Sequence, residues 1–71
     1  MIYFELGDSP YIELIKLLKV ENIASSGAEA KMMVEDNLVK VNGELETRKR
    51  AKLKENDIVE IEGWSIQITR K

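Results

Sequence analysis

Cysteine and histidine are both absent from this 71-residue chain. Without cysteine there can be no disulfide, no thiolate metal site and no thiol nucleophile. Without histidine the commonest general base near neutral pH and the commonest metal ligand are missing too. Aromatic residues are few: Tyr3, Phe4, Tyr11 and Trp64. All four fall at positions that read as core or strand faces, and none is interleaved with a cationic run. That argues against a base-stacking platform of the kind used for single strands. No apolar run approaches the roughly 20 residues that span a bilayer. The start, Met1-Ile2-Tyr3-Phe4-Glu5, lacks the basic and apolar regions of a signal peptide. There is no Gly-rich phosphate cradle, no metal-ligand spacing and no internal repeat. The expectation is a cytoplasmic, non-enzymatic protein with no cofactor, no metal and no membrane association.

Hydrophobic residues make up 44% of the chain and charged residues 34%, the range of a soluble globular domain. A chain this short buries only roughly 60% of its unfolded surface, so a single small core is expected, with one domain over residues 1–71.

The net charge of −2 conceals an uneven distribution. Five of the eight residues in Thr47-Arg48-Lys49-Arg50-Ala51-Lys52-Leu53-Lys54 are cationic and none is acidic. The other 63 residues carry all 13 carboxylates and only six cations. Clustered positive charge is the footprint of a phosphate-binding surface, although a solvated basic loop has the same composition.

Pattern and punctuation give the elements. Ile2–Leu6 reads as a strand closed by Gly7-Asp8. Ser9 and Pro10 have the chemistry of an N-cap and a first helical residue, and Tyr11, Ile12, Leu14, Ile15 and Leu18 supply one apolar face up to a stop at Asn22. Ser26-Gly27-Ala28-Glu29 matches the capping box of a second helix. Ala30, Met33 and Val34 would be its buried stripe, with Lys31, Glu35 and Asp36 outward and Asn37 closing it in the left-handed conformation. Asn42-Gly43 between Leu38–Val41 and Glu44–Glu46 is a strong hairpin signal. After a turn at Glu55-Asn56-Asp57, strands are expected at 58–61 and 64–69, the latter burying Trp64, Ile66 and Ile68. The fold class is α+β: two packed helices, then a β-hairpin and further short strands, with the N-terminal strand joining the sheet.

Taken in order, Ser26-x-x-x-Ala30, Val39-x-Val41-Asn42-Gly43, the basic stretch, Leu53 and Asp57-Ile58-Val59 resemble the alpha-L RNA-binding motif, or S-four-type domain. The short length, the extra strand at each end and Glu46-Thr47-Arg48-Lys49-Arg50 are similar to its small stand-alone YbcJ-like bacterial branch. The resemblance covers about Tyr11 to Ile61. It implies an RNA-binding module whose target is ribosomal or another folded RNA, within ribosome assembly or quality control. The chain departs from the family at Gly27, where many members carry an arginine that meets RNA phosphate. Asn37 replaces a common glycine, and both tolerate the left-handed region.

The candidate RNA-binding residues are Ser26, Gly27, Lys31, Lys40, Arg48, Lys49, Arg50 and Lys52. Small residues at the start of the second helix leave its free N–H groups open to a phosphate, while Glu29 competes with one, and Ser26 can equally be a cap alone. Lys31 is assigned a backbone contact by the resemblance; a solvated lysine is the alternative. Extended chain would place Arg48, Arg50, Lys52 and Lys54 on one side, with Leu53 turned inward. The guanidinium fork suits phosphate better than an ammonium, which favours Arg48 and Arg50. Lys40, on the hairpin, would extend the patch. Two other functions fit the same basic face: a protein-interaction module meeting an acidic partner, and a non-specific DNA binder, since phosphate contacts do not specify the sugar.

Overall fold

Residues 1–70 are described by the computed structural model of the chain, so the expected domain boundary at 71 lies just outside the described residues. In chain order the elements are β1 (Ile2–Glu5), β2 (Ile12–Glu13), α1 (Leu14–Val20), α2 (Gly27–Glu35), β3 (Val39–Val41), β4 (Glu44–Leu45), β5 (Lys52–Leu53), β6 (Ile58–Ile61) and β7 (Trp64–Thr69). A five-stranded sheet runs in the order β1-β7-β6-β3-β4, and β2 and β5 form a separate two-stranded ribbon. β1 lies parallel to β7; the other pairings are antiparallel.

Strand alternation decides which face the helices cover. Val39, Val59, Ile61, Ile66 and Ile68 point to one face and are fully buried, with Ile2, Phe4 and Val41 packed at its margins. Leu14, Leu17 and Leu18 of α1 and Ala30 and Val34 of α2 complete the same core. The opposite face carries Tyr3, Lys40, Glu60 and Ser65 and stays open. Met33 is half-buried against the core rather than enclosed by it.

Both helices stop as their asparagines predict. Asn22 and Asn37 take φ values of 60° and 61°. The following N–H groups, of Ile23 and Leu38, reach back to the Leu18 and Met33 carbonyls, the hydrogen-bond pattern of a Schellman motif. Asn42 and Gly43, with φ of 53° and 86°, make the hairpin turn between β3 and β4.

Two further expectations from the sequence need correction. The first helix does not start at Pro10 with Ser9 as its cap. Ile12 and Glu13 are extended and pair with Leu53 and Lys52, so α1 begins at Leu14. Its first donors are satisfied from elsewhere in the chain: Leu14 N–H donates to the Ala51 carbonyl at 2.9 Å and Ile15 N–H to the Lys49 carbonyl at 3.3 Å. A local capping signal therefore gave way to a tertiary one. Trp64 is the second correction, being 52% exposed. It shares the inward side of β7 with Ile66 and Ile68, but β1 begins opposite Ile66, and no β1 residue flanks the tryptophan.

Candidate nucleic-acid interface

The basic segment is a turn followed by a strand. From Arg50 to Lys54 the alternation holds: Ala51 and Leu53 are buried, while Arg50, Lys52 and Lys54 are exposed. Arg48 does not join that row, which corrects the fully extended reading. The chain turns over Arg48–Ala51, with the Ala51 N–H on the Arg48 carbonyl. Glu46 drives the departure. Its Oε2 accepts from the Arg48 backbone N–H at 2.9 Å and from Nε at 3.0 Å, and its Oε1 accepts from Nη2 at 3.3 Å. These bonds hold the Glu46 carboxyl below the usual carboxylate range and raise the guanidinium further.

At the start of α2, Ser26 is the N-cap and its Oγ accepts from the Glu29 N–H at 3.1 Å. The reciprocal bond lands one residue earlier than the capping-box pattern, because the Glu29 carboxylate accepts from the Ser25 N–H at 2.5 Å. That N–H keeps the Glu29 carboxyl below its ordinary range. A carboxylate thus stands beside the helix start. Gly27 is open: a Cβ there would meet only the Lys19 side chain, at 4.0 Å.

Two contacts fix how these pieces lie. The start of α1 is bonded to the basic segment through Leu14 and Ile15. Glu35, the last residue of α2, pairs with Lys49, Nζ to Oε2 at 2.6 Å. Ser26 and Gly27 therefore occupy the far end of α2, about 12 Å from Glu35 by the helical rise. They do not touch the basic segment, as a single compact patch would require. Lys31 bridges the interval. It sits one turn before Glu35, whose carboxyl is lowered first by the Lys49 hydrogen bond and charge and then by the Lys31 charge.

Lys19 thus lies near Gly27, Lys31 and Lys49 near Glu35, and Arg48 on Glu46, while Arg50, Lys52 and Lys54 are exposed. Arg50, Lys52, Lys54, Lys31 and Lys19 make no ion pair among the described residues. Lys40 is elsewhere. It lies on the open sheet face across from Glu60, on the side of β3 opposite buried Val39.

Sequence reasoning did not single out Lys19 or Tyr11. Lys19 reaches Gly27 only because α1 and α2 pack together. Tyr11 lies beneath Lys52, with Nζ 5.0 Å from the ring centroid. The 41-residue separation hides that pair; only the β2–β5 register reveals it. The described residues hold no helix long and apolar enough to cross a membrane.

Comparison with known proteins agrees with this architecture. A family model described as the S4 domain matches residues 4–69. Escherichia coli (strain K12) YbcJ, named for RNA binding, is 44% identical over 68 residues, covering 96% of this chain and 97% of its own. Bacillus subtilis (strain 168) RlbA, named for ribosome maturation, is 39% identical over 57 residues, covering 80% of each chain. The solution structure of Escherichia coli YbcJ, described as an alpha-L motif involved in RNA binding, superposes with a TM-score of 0.75 at 43% identity. It covers 97% of this chain and 87% of that one.

Proposed function

We propose that this chain, which belongs to the S4 domain family, is a non-enzymatic RNA-binding module that docks on structured RNA through phosphate contacts. The observation that carries the docking mode is the row Arg50, Lys52 and Lys54, exposed between the buried anchors Ala51 and Leu53. Anchored cations lose little freedom when a phosphate arrives, and Arg50 has no carboxylate among the described residues to give up first.

Lys31, Lys49 and Arg48 extend the contact along α2, with Ser26, Gly27 and Lys19 at its far end. Lys40 is left out because it faces the other side of the sheet. The domain acts as one unit, in the cytoplasm of a bacterium. Likeness to a protein named for ribosome maturation supports ribosomal RNA as the target class. DNA and acidic protein partners are the competing readings, and nothing in the interface favours either.

The test is a titration of a folded RNA hairpin across a range of salt. Roughly four to six phosphate contacts give a log–log slope of about −3 to −5. Replacing Arg48 and Arg50 together by glutamate should lower affinity at least about tenfold and flatten that slope. A flat salt response, equal affinity for duplex DNA, or normal binding by the double variant would refute the reading.

A further inference from the structure

The sequence separates the aromatic residues from the basic run, but the fold brings Tyr11 beneath Lys52, which corrects the expectation that no ring lies beside the cations. On the β2–β5 ribbon, Ile12 and Leu53 point into the core, so Tyr11, Glu13, Lys52 and Lys54 share the outer side. Lys52 stands over the tyrosine ring. Tyr11 also lines a groove of about 430 Å³ together with Phe4, Leu6, Pro10, Lys16 and Val20. That volume falls within the range of small-ligand sites. Its walls are the aromatic residues Phe4 and Tyr11, Pro10, the aliphatic residues Leu6, Ile12 and Val20, and Ser9. Lys16 is the one cation on the lining, Lys52 stands over the Tyr11 ring nearby, and neither makes an ion pair among the described residues. Glu13 is the one acidic residue on the lining, and Lys52 is its cross-strand partner.

Aromatic residues with cations close by, next to the exposed cationic row of β5, suit a nucleotide taken out of the helix. Bases stack on aromatic rings whatever their identity, and flanking ammonium groups meet the attached phosphates. We propose that the groove beside Tyr11 holds an unpaired nucleotide of the docked RNA, with its base against the tyrosine ring and its phosphates toward Lys16 and Lys52. The inference rests on the RNA-docking reading and narrows its target. The preferred RNA is a duplex carrying an unpaired nucleotide at its flank or in a bulge, not an uninterrupted helix.

The test compares a blunt RNA hairpin with the same hairpin bearing a short unpaired flank. The wild-type protein should bind the flanked RNA about tenfold more tightly, the scale of one base–aromatic stack. Tyr11→Leu should erase that preference, weakening the flanked RNA about tenfold more than the blunt hairpin, while Tyr11→Phe keeps it. Arg50→Glu should weaken both RNAs alike, which reports on docking separately. Absence of a flank preference in the wild type, or its survival in Tyr11→Leu, overturns the proposal even when Arg50→Glu behaves as expected. A readout independent of docking is the tyrosine ring itself. Millimolar adenosine 5′-monophosphate should shift the Tyr11 ring proton resonances upfield, and an unmoved ring likewise overturns the proposal.

Discussion

Lys49 Nζ lies 2.6 Å from Glu35 Oε2, so the basic turn is tied to the last turn of α2 by a solvent-facing ion pair. The pair positions the turn, yet it also spends the charge of Lys49 on a carboxylate. Arg50, its neighbour, makes no such pair among the described residues. The two cations should therefore differ in effect although they are adjacent in sequence. Arg50→Gln is expected to lower RNA affinity several-fold and reduce the salt slope by about 1. Lys49→Gln should change either quantity much less. Parallel filter-binding or fluorescence titrations at several salt concentrations check the ranking, and an equal loss for both contradicts it.

The same competition predicts a pH effect. The Glu35 and Glu46 carboxyls are both held low, the first by Lys49 and the second by Arg48. Groups with depressed folded-state values stabilise the fold above the unfolded glutamate value of about 4.3, and that contribution is lost as pH falls through the lower folded values. RNA affinity should move the other way. Once protonated, neither carboxyl holds its cation, whereas the phosphodiester stays charged. The double variant Glu35→Gln with Glu46→Gln should bind RNA several-fold more tightly than wild type at pH 7. Their ratio should shrink toward one as pH drops below about 4. Taking the ratio cancels titration of the RNA.

Gly27 tests what the helix start contributes. Its backbone is not left-handed, and a side chain there would meet only the end of Lys19. Gly27→Arg should therefore fold normally, gain helix propensity and add a cation beside the free N–H groups of α2. The expected result is tighter RNA binding with a salt slope steeper by about 1. Glu29 tempers the gain, since its carboxylate lies in the same turn. Unchanged affinity in a folded variant would remove the α2 start from the interface.

Much of the architecture was legible because local chemistry and tertiary structure agree. Asn22 reads as a stop, and Asn37 and Asn42-Gly43 as left-handed positions; the chain reverses at all three, with positive φ at each. Ser26 caps α2 as its hydroxyl predicts. Failures arose where a distant partner outbid a local signal. Ser9-Pro10 has helix-start chemistry, but Leu53 and Lys52 recruit Ile12 and Glu13 into a ribbon. Trp64 alternates correctly and still lies at the surface, for want of a neighbouring strand residue. Within the candidate interface, the cationic composition was visible in the chain. Glu46 pulling Arg48 out of the row, and Tyr11 beneath Lys52, depend on register and side-chain reach that no spacing rule encodes.

Leu53 is the anchor that keeps the cations of its strand facing outward. It is 1% exposed and pairs with Ile12. Leu53→Ala should cost about 2–5 kcal/mol, a large share of the stability of so small a domain. Leu53→Met should cost less than about 1.5 kcal/mol. Urea denaturation should show a lowered midpoint with an unchanged slope for both. Under conditions where Leu53→Ala remains folded, its RNA affinity should still fall, because Lys52 and Lys54 lose their fixed direction.

Asn42 links the hairpin to the end of the basic segment. Its Oδ1 accepts from the Ile58 N–H at 2.9 Å, and its Nδ2 donates to Asp57 Oδ1 at 3.0 Å. The other Asp57 oxygen accepts from the Lys54 N–H at 2.8 Å. Asn42→Gly keeps the positive φ and loses the clamp, whereas Asn42→Ala loses the clamp and adds left-handed strain. The alanine variant should therefore be less stable than the glycine variant by about 1 kcal/mol. Asn42→Asp separates the two roles further. Aspartate tolerates the backbone and can still accept from Ile58, but it sets a second carboxylate against Asp57. Repulsion between the two carboxylates should destabilise this variant at pH 7, and the loss should shrink relative to wild type in acid, where carboxylates are protonated. Thermal melts of the three variants at pH 7 and at pH 3 distinguish a clamp built on the amide from a turn that needs only its backbone angle.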